Sequence, residues 1–414
     1  MSAPDGSGGP SLSRRLGTFD AVVIGLGAMI GAGVFAAFGP AAAAAGAWLP
    51  AALAVAAVVA YCNATSSARL AARYPASGGT YVYGRERLGP FWGHLAGWSF
   101  VVGKSASCAA MALTVGAYLR PDHAHAVAVA AVLTLTAVNY VGVQKSALAS
   151  RLVVAFVLLV LITVVVTGAG ADRGAARDAV APVGVAGVLQ AAGLLFFAFA
   201  GYARIATLGE EVREPATTIP RAIPIALGVT VAVYLAVLLT LLHVLGAGGL
   251  AAATDPLARA VSAAGVPGLA PVVRAGAVAA AAGSLLALVL GVSRTTLAMA
   301  RDGHLPKALA AVHPRFHVPH RAELAVGVVV AAVAAVVDLR SAIGFSSFGV
   351  LVYYAVANVS AWTLSAAEGR PPRLVPVTGV VGCLVLAATL PGASVLAGAA
   401  VVAAGGLSYV LRRR

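Results

Sequence analysis

Apolar stretches close to the ~20 residues that cross a bilayer as a helix follow one another along the chain. They fall at 18–43, 47–72, 90–119, 124–142, 148–169, 186–212, 221–247, 268–300, 322–338, 342–366, 373–391 and 393–411. Polar residues gather in the short joins between them. The pattern predicts an all-α polytopic membrane protein of about 12 transmembrane helices with little soluble mass. An even number of crossings puts both termini on one side. Short Ala/Gly-rich loops blur the edges of 47–72 and 393–411.

Two of these stretches are weakened at mid-depth. The first contains Gly25-Leu26-Gly27-Ala28-Met29-Ile30-Gly31-Ala32-Gly33-Val34-Phe35. Each glycine in a helix costs about 1 kcal/mol relative to alanine. Lipid cannot satisfy backbone groups that a weakened helix frees. The stretch is therefore either the break of a discontinuous helix or a glycine face packed against a neighbouring helix. As a break, it would offer the amides of Ala32 and Gly33 at the start of a half-helix, where a carboxylate is favoured. It holds no hydroxyl side chain, so recognition there is by backbone. Gly25-x-Gly27-x-x-x-Gly31 mimics a dinucleotide-binding fingerprint. It follows no strand, lies inside a span and lacks the acidic residue about 20 positions on, so that reading is set aside.

The second weak stretch is Phe196-Phe197-Ala198-Phe199-Ala200-Gly201-Tyr202 in the sixth span. A break near Ala200-Gly201 would free the carbonyls of Phe197, Ala198 and Ala200, which suit an ammonium group. Together the two breaks complement a zwitterion. The aromatic rings either close over a ligand or simply pack between helices. Five spans followed by five, each set opening on a weakened helix, is the pattern of an inverted repeat.

Composition sharpens this picture. The 414 residues are 60% hydrophobic and 10% charged, against about a quarter charged in soluble domains. The formal net charge of +14 suggests nucleic acid until the cations are placed on the span map. With the N-terminus in the cytoplasm, basic residues favour the cytoplasmic joins by about three to one, as the positive-inside rule requires. Basic runs and aromatic-rich basic patches are lacking, so no nucleic-acid partner is expected. Cys62, Cys108 and Cys383 lie in apolar segments without CxxC spacing and read as packing residues. The Gly/Ser/Pro-rich arm before the first span shows no cleavage site and reads as retained. HExxH, GxSxG and paired intramembrane acids are missing, so no enzyme is expected. His313, His317 and His320 sit in a proline-rich loop without acids or cysteines beside them and read as a solvated loop, not a metal site.

The chain resembles the amino acid–polyamine–organocation (APC) superfamily of permeases. The resemblance is carried by Gly27 to Phe35, and by Pro75-x-Ser77-Gly78-Gly79-x-Tyr81-x-Tyr83 with Gly97-Trp98. It continues through Phe197 to Pro215 with Ile219-Pro220, then Arg294-x-x-x-x-Ala298-Met299-Ala300-Arg301-Asp302-Gly303-x-Leu305-Pro306 with His313-Pro314, and Ser346-Ser347-Phe348-Gly349. It implies a LeuT-type 5+5 inverted repeat with two accessory helices, alternating access, and amino acid or related amine substrates. The expected organisation is a cytoplasmic arm (1–17), a ten-helix core (18–366, with repeats 18–169 and 186–366), two accessory helices (373–411) and a cytoplasmic tail (412–414). The expected location is the plasma membrane. No cofactor is expected, a proton or sodium being the coupling ion. The expected partners are a small amino acid and membrane lipid.

Three positions depart from the family pattern. Val157 stands where many members carry a fifth-span lysine. Gly103 and Ala203 stand where members that take cationic substrates often carry polar or acidic residues. A neutral or carboxylate-bearing side chain is therefore expected over a cationic one. The candidate substrate residues are Met29, Ile30, Gly31, Ala32, Gly33, Phe197, Ala198, Phe199, Ala200, Gly201 and Ala203. Lys104 and Arg204 are the cations inside spans. With Ser284 they are the candidates for ion coupling or charge compensation. Lys104 either neutralises a carboxylate, moves a proton, or stands in for a metal cation. Arg204 reads as part of a salt-bridged gate with Glu210 and Glu211. Phe197, Tyr202 and Glu210 are the candidate gating residues. Tyr353, Tyr354, Asn358 and Ser360 read as groups that bond across helices.

Overall fold

In the computed structural model, residues 16–75, 78–142, 147–171, 183–208 and 211–412 are described. Among them, helices occupy every position where a span is expected. The first span is divided: α1 (Thr18–Met29) stops at mid-depth, and α2 (Ala32–Ala36) and α3 (Phe38–Ala45) carry the chain onward. It returns through α4 (Leu49–Arg73). A short amphipathic helix, α5 (Thr80–Leu88), then leads into α6 (Pro90–Leu119), α7 (Ala124–Tyr140) and α8 (Ala147–Ala169).

The sixth span is divided like the first, into α9 (Val185–Phe199) and α10 (Ala203–Ala206). Then come α11 (Pro215–Ala251), α12 (Pro256–Ala263), α13 (Ala270–Arg301), α14 (His320–Val336), α15 (Leu339–Trp362), α16 (Leu374–Thr389) and α17 (Gly392–Arg412). Among the described residues, ten helical stretches are long and apolar enough to cross a membrane. α14 and α16, with 17 and 16 residues, are not among these ten.

Local chemistry explains where the observed boundaries differ from the expected ones. α15 begins three residues early because Asp338 caps it, its carboxylate accepting the Ser341 amide at 3.0 Å. α11 begins at Pro215, whose missing N–H costs nothing in a first turn. The sixth span ends at Ala206 rather than 212, and the Thr207 hydroxyl turns back onto the Arg204 carbonyl at 2.9 Å.

The outside of the bundle is apolar. Along α8, Leu152, Leu159, Ile162 and Val166 are each 60% exposed or more. In water such a stripe would be a liability, whereas against lipid it is the ordinary outer face. Polar groups turn inward. Asn358 of α15 donates to Asn63 of α4 at 2.6 Å and accepts from Ser66 at 2.7 Å. Tyr353 accepts the Thr80 amide at 3.0 Å. The expected cross-helix role of the tenth-span polar residues is thus visible at Tyr353 and Asn358. Ser360 instead bonds within its own helix, to the Val356 carbonyl.

Charged residues meet at the end of the bundle that holds Leu16. α5 lies across this end. Tyr81 and Arg85 donate to Asp302 at 2.5 and 2.9 Å. Arg87 grips both oxygens of Glu368 at 2.9 and 3.2 Å. Glu368 also accepts the Ser365 amide at 2.8 Å. That amide, and then the Arg87 guanidinium, hold the carboxyl at about 2, well below its ordinary 4.5.

A depressed carboxyl stabilises the fold above its unfolded-state value and loses that effect as it protonates. The difference in melting temperature between wild type and Glu368→Gln should therefore be constant above pH about 4.5 and shrink to nothing near pH 2. A difference that does not change with pH would overturn this assignment.

Candidate functional site

The site grows from the two helix breaks. α1 ends at Met29, Ile30 leaves helical geometry (φ −82, ψ 46) and Gly31 is extended (φ −97, ψ −133). The first-turn amides of the next half-helix belong to Ala32, Gly33 and Val34. In the sixth span, Ala200–Tyr202 tighten into a 3-10 turn. This second break is a change of pitch rather than an opened strand.

The two breaks lie against each other. A Cβ on Gly33 would fall 2.6 Å from the Ala198 α-carbon, and one on Gly201 would overlap the Ala28 carbonyl. Ile205 packs over Gly25. As one partner's number rises the other's falls, so the two broken helices run antiparallel. The glycines therefore serve both readings of the first stretch: they mark the break and let the second helix approach it.

A few side chains take up the freed carbonyls. The Tyr234 hydroxyl of α11 faces Met29 O at 2.5 Å and Ala198 O at 3.0 Å. It has one proton, so the two breaks share a single donor. Lys104 of α6 is 6% exposed, and its Nζ donates to Ala200 O at 3.3 Å. Tyr354 donates to the same oxygen at 3.4 Å. Two of the three sixth-span carbonyls expected to meet an ammonium thus already have donors, one of them the protein's own ammonium. Lys104 makes no ion pair among the described residues.

Other expected residues fall as follows. Ser284 of α13 reaches Gly27 O at 3.5 Å, on the α1 side of the first break. Phe197 is 8% exposed, whereas Phe199 is fully buried against Tyr234, with ring centroids 5.2 Å apart. Tyr202 packs on Tyr354 at 5.0 Å. Ala203, the next residue, begins α10 and is buried. Val157 is buried among apolar residues.

Arg204 lies inside the sixth span, as expected, two residues before its end at Ala206, with 41% of its side chain exposed, and pairs with Glu211 at 3.7 Å. The helix itself stops six residues earlier than expected. Glu210 lies outside the described residues. Beside this pair, Leu16 bonds the backbone on both sides of Val212, through Glu211 and Arg213 at 3.1 and 2.9 Å. The entry to α1 is thus stitched to the exit of the sixth span. At the opposite end a hollow of about 360 Å³ opens beside the second half-helix, lined by Phe35, Ala36, Leu113, Ala117 and Asp338 among others.

Sequence reasoning missed Tyr234 and Glu323. Tyr234 is the one tyrosine in the apolar run at 221–247, a signal visible in the sequence. Glu323 lies in the first turn of α14, one residue inside the expected span, and was given no role. It is fully buried.

Comparison with known proteins places these features in context. The family described as Amino acid permease matches residues 16–406. The chain is 69% identical over 404 residues to an uncharacterized transporter of Mycobacterium tuberculosis (strain ATCC 25618 / H37Rv), covering 97% of this chain and 92% of that one. It is 26% identical over 398 residues to the branched-chain amino acid permease of Bacillus subtilis, covering 90% and 86%. It is 29% identical over 402 residues to cationic amino acid transporter 4 of Homo sapiens, covering 87% and 61%.

Two substitutions test the joined breaks. Gly201→Ala forces backbone apart and should cost about 1–3 kcal/mol, as overpacking does. Tyr234→Phe leaves two buried carbonyls without their donor and should cost a similar amount, about 1–3 kcal/mol. Both should lower the melting temperature in lipid nanodiscs. Gly228→Ala, where a Cβ meets nothing within 4 Å, should not lower it.

Proposed function

The chain belongs to the amino acid permease family of the amino acid–polyamine–organocation superfamily, and from that premise we propose a secondary active transporter of a neutral amino acid, driven by the proton gradient across the plasma membrane. The single observation that carries the reading is the pairing of the two broken helices, back to back and antiparallel, at Gly33–Ala198 and Gly201–Ala28. Antiparallel broken helices are what an inverted repeat brings to its midpoint, where such transporters bind substrate. The amides of Ala32 and Gly33 take the substrate carboxylate. The amine goes to the sixth-span carbonyls, displacing the donors that now hold them. Phe197, the most exposed aromatic of that stretch, closes over the ligand. The charged end of the bundle is cytoplasmic, as the basic joins imply. There Tyr81, Arg85, Arg87 and Arg204 with their acids form the inner gate.

Lys104 argues for the substrate class. It is a fixed cation one hydrogen bond from the sixth break. A cationic side chain entering there would meet like charge in a medium that screens little. Gly103 adds to this, because its α-carbon packs on the Gly349 backbone, leaving no room for an acid to balance a substrate cation. The similar proteins carry the names branched-chain permease, methylthioribose transporter and cationic amino acid transporter 4. The buried lysine favours the first of these classes for this chain.

Uptake of labelled leucine, alanine, serine, glutamate and lysine into proteoliposomes, with and without an inward proton gradient, tests the proposal. Wild type should accumulate leucine or alanine under the gradient and exclude lysine. Lys104→Ala removes a competitor for the Ala200 carbonyl and should leave neutral uptake in place. It should also admit lysine. Saturable lysine transport by the wild type would sink the substrate assignment.

A further inference from the structure

Glu323 stands apart from every other acid in the described chain. It is 0% exposed. Neither carboxyl oxygen has a hydrogen-bond partner. It belongs to the inward stripe of α14, with Ala322, Val326, Gly327, Val330 and Ala334. An apolar residue would fill this place at no electrostatic cost. A bare carboxylate in such a place costs several kcal/mol. A first-turn acid is often explained by the helix dipole or by capping of free amides. Here the carboxyl bonds to none of those amides.

The neighbours fix its surroundings. α7 runs antiparallel to α14. His125 bonds Ala334 O at 2.8 Å near one end, and the Tyr140 and His320 rings meet at 6.3 Å at the other. Between these, Gly327 packs on Thr136, whose hydroxyl is also buried without a partner. Glu323 sits one turn from Gly327, level with the segment from Thr136 to Tyr140. α13 contributes Arg294, and its other cations are Arg274, near the far end, and Arg301. The turn at 307–310 contributes Lys307. α6 carries Lys104, bonded to Ala200 O, and His94, bonded to Gly405 O. Of all these groups, Arg294 is the charge that acts on Glu323, and it is exposed.

We propose that Glu323 is the proton-carrying group of the transport cycle. Resting on the proton-driven reading above, the assignment names the residue that does the coupling. The closed packing of α7, α13 and α14 holds the side chain as a neutral acid. When the inner half opens, water and the Arg294 guanidinium reach the carboxyl and it gives its proton to the cytoplasm. The only bond made and broken is the O–H bond. The proton comes from the outer medium and leaves to the inner one. The unpartnered Thr136 hydroxyl, on the neighbouring turn, is the polar group placed to receive the acid as the helices shift.

The test uses the purified full chain, with Glu323→Gln as a mimic of the neutral acid and Glu323→Asp as the conservative variant. Leucine is the probe, or whichever amino acid of the panel the wild type moves fastest. An inward gradient of one pH unit supports up to about tenfold accumulation at one proton per substrate. Glu323→Gln should lose that accumulation and its pH dependence while keeping gradient-free exchange within about twofold of wild type. Glu323→Asp should recover part of the accumulation. A Gln variant that still accumulates substrate with the wild-type pH profile overturns the proposal. A second readout needs no substrate. Infrared spectra of the wild type in lipid at neutral pH should show the carbonyl stretch of a protonated acid, absent in Glu323→Gln. If that band is missing from the wild type, or vanishes on adding sodium at constant pH, Glu323 is not the proton carrier. If no amino acid moves, the transport reading fails alone and the infrared band still decides Glu323.

Discussion

A helix broken inside a bilayer must find partners for the backbone groups it releases, because lipid offers none. The whole centre of this protein follows from that constraint. Two helices break and are pressed together, and side chains of neighbouring helices take up carbonyls from both. Tyr234 serves one carbonyl from each break, while Lys104 and Tyr354 share a third. The helices that bring these side chains, α11, α6 and α15, therefore cannot move independently of the breaks. Any shift between the two halves must hand these carbonyls to other donors. A substrate ammonium is such a donor, with three protons where the tyrosine hydroxyl has one. The arrangement thus links occupancy of the centre to the packing of the surrounding helices.

The same reasoning sets the two ends of the molecule apart. At the charged end, ion pairs tie segments that are distant in sequence, Arg85 to Asp302 and Arg87 to Glu368, and a local pair joins Arg204 to Glu211. Partly exposed pairs of this kind are individually worth little. They are easily made and broken, which suits contacts that must open. Among the described residues, the opposite end has fewer such ties around its hollow, where Arg274 and Asp255 pair at 2.8 Å.

Much of this was legible in the chain because it rests on composition at fixed spacing. Gly25, Gly27, Gly31 and Gly33 announced a weak helix, and the position of the break at Ile30–Gly31 followed. The Ala200-Gly201 pair announced the second, although only the structure shows that it narrows into a 3-10 turn. Lys104 stood out as a cation in an apolar run, and it is buried. The failures have physical causes too. The sixth span was drawn to 212, while its helix ends at Ala206, where the Thr207 hydroxyl turns back onto the Arg204 carbonyl. Tyr234 was passed over because a tyrosine in a span is as compatible with an interface as with a buried hydroxyl, and periodicity does not separate the two. Glu323 escaped because a one-residue difference in a span's edge decides whether an acid counts as solvated or buried.

Among the described residues, Lys104 and Glu323 are both buried without an ion pair, and their settings differ in a way that suits them to different work. Lys104 has a carbonyl to hold it. A cation bonded to a backbone oxygen next to a break is compensated by a fixed dipole and can stay charged as helices rearrange. Glu323 has nothing to hold it, so its charge must follow its surroundings. On the proposed reading, a cation at the centre and a switchable acid nearer the charged end are complementary. The first would set which side chains the site accepts. The second would let the closed and open packings differ by one proton, which is the least a gradient needs in order to drive one direction of the cycle.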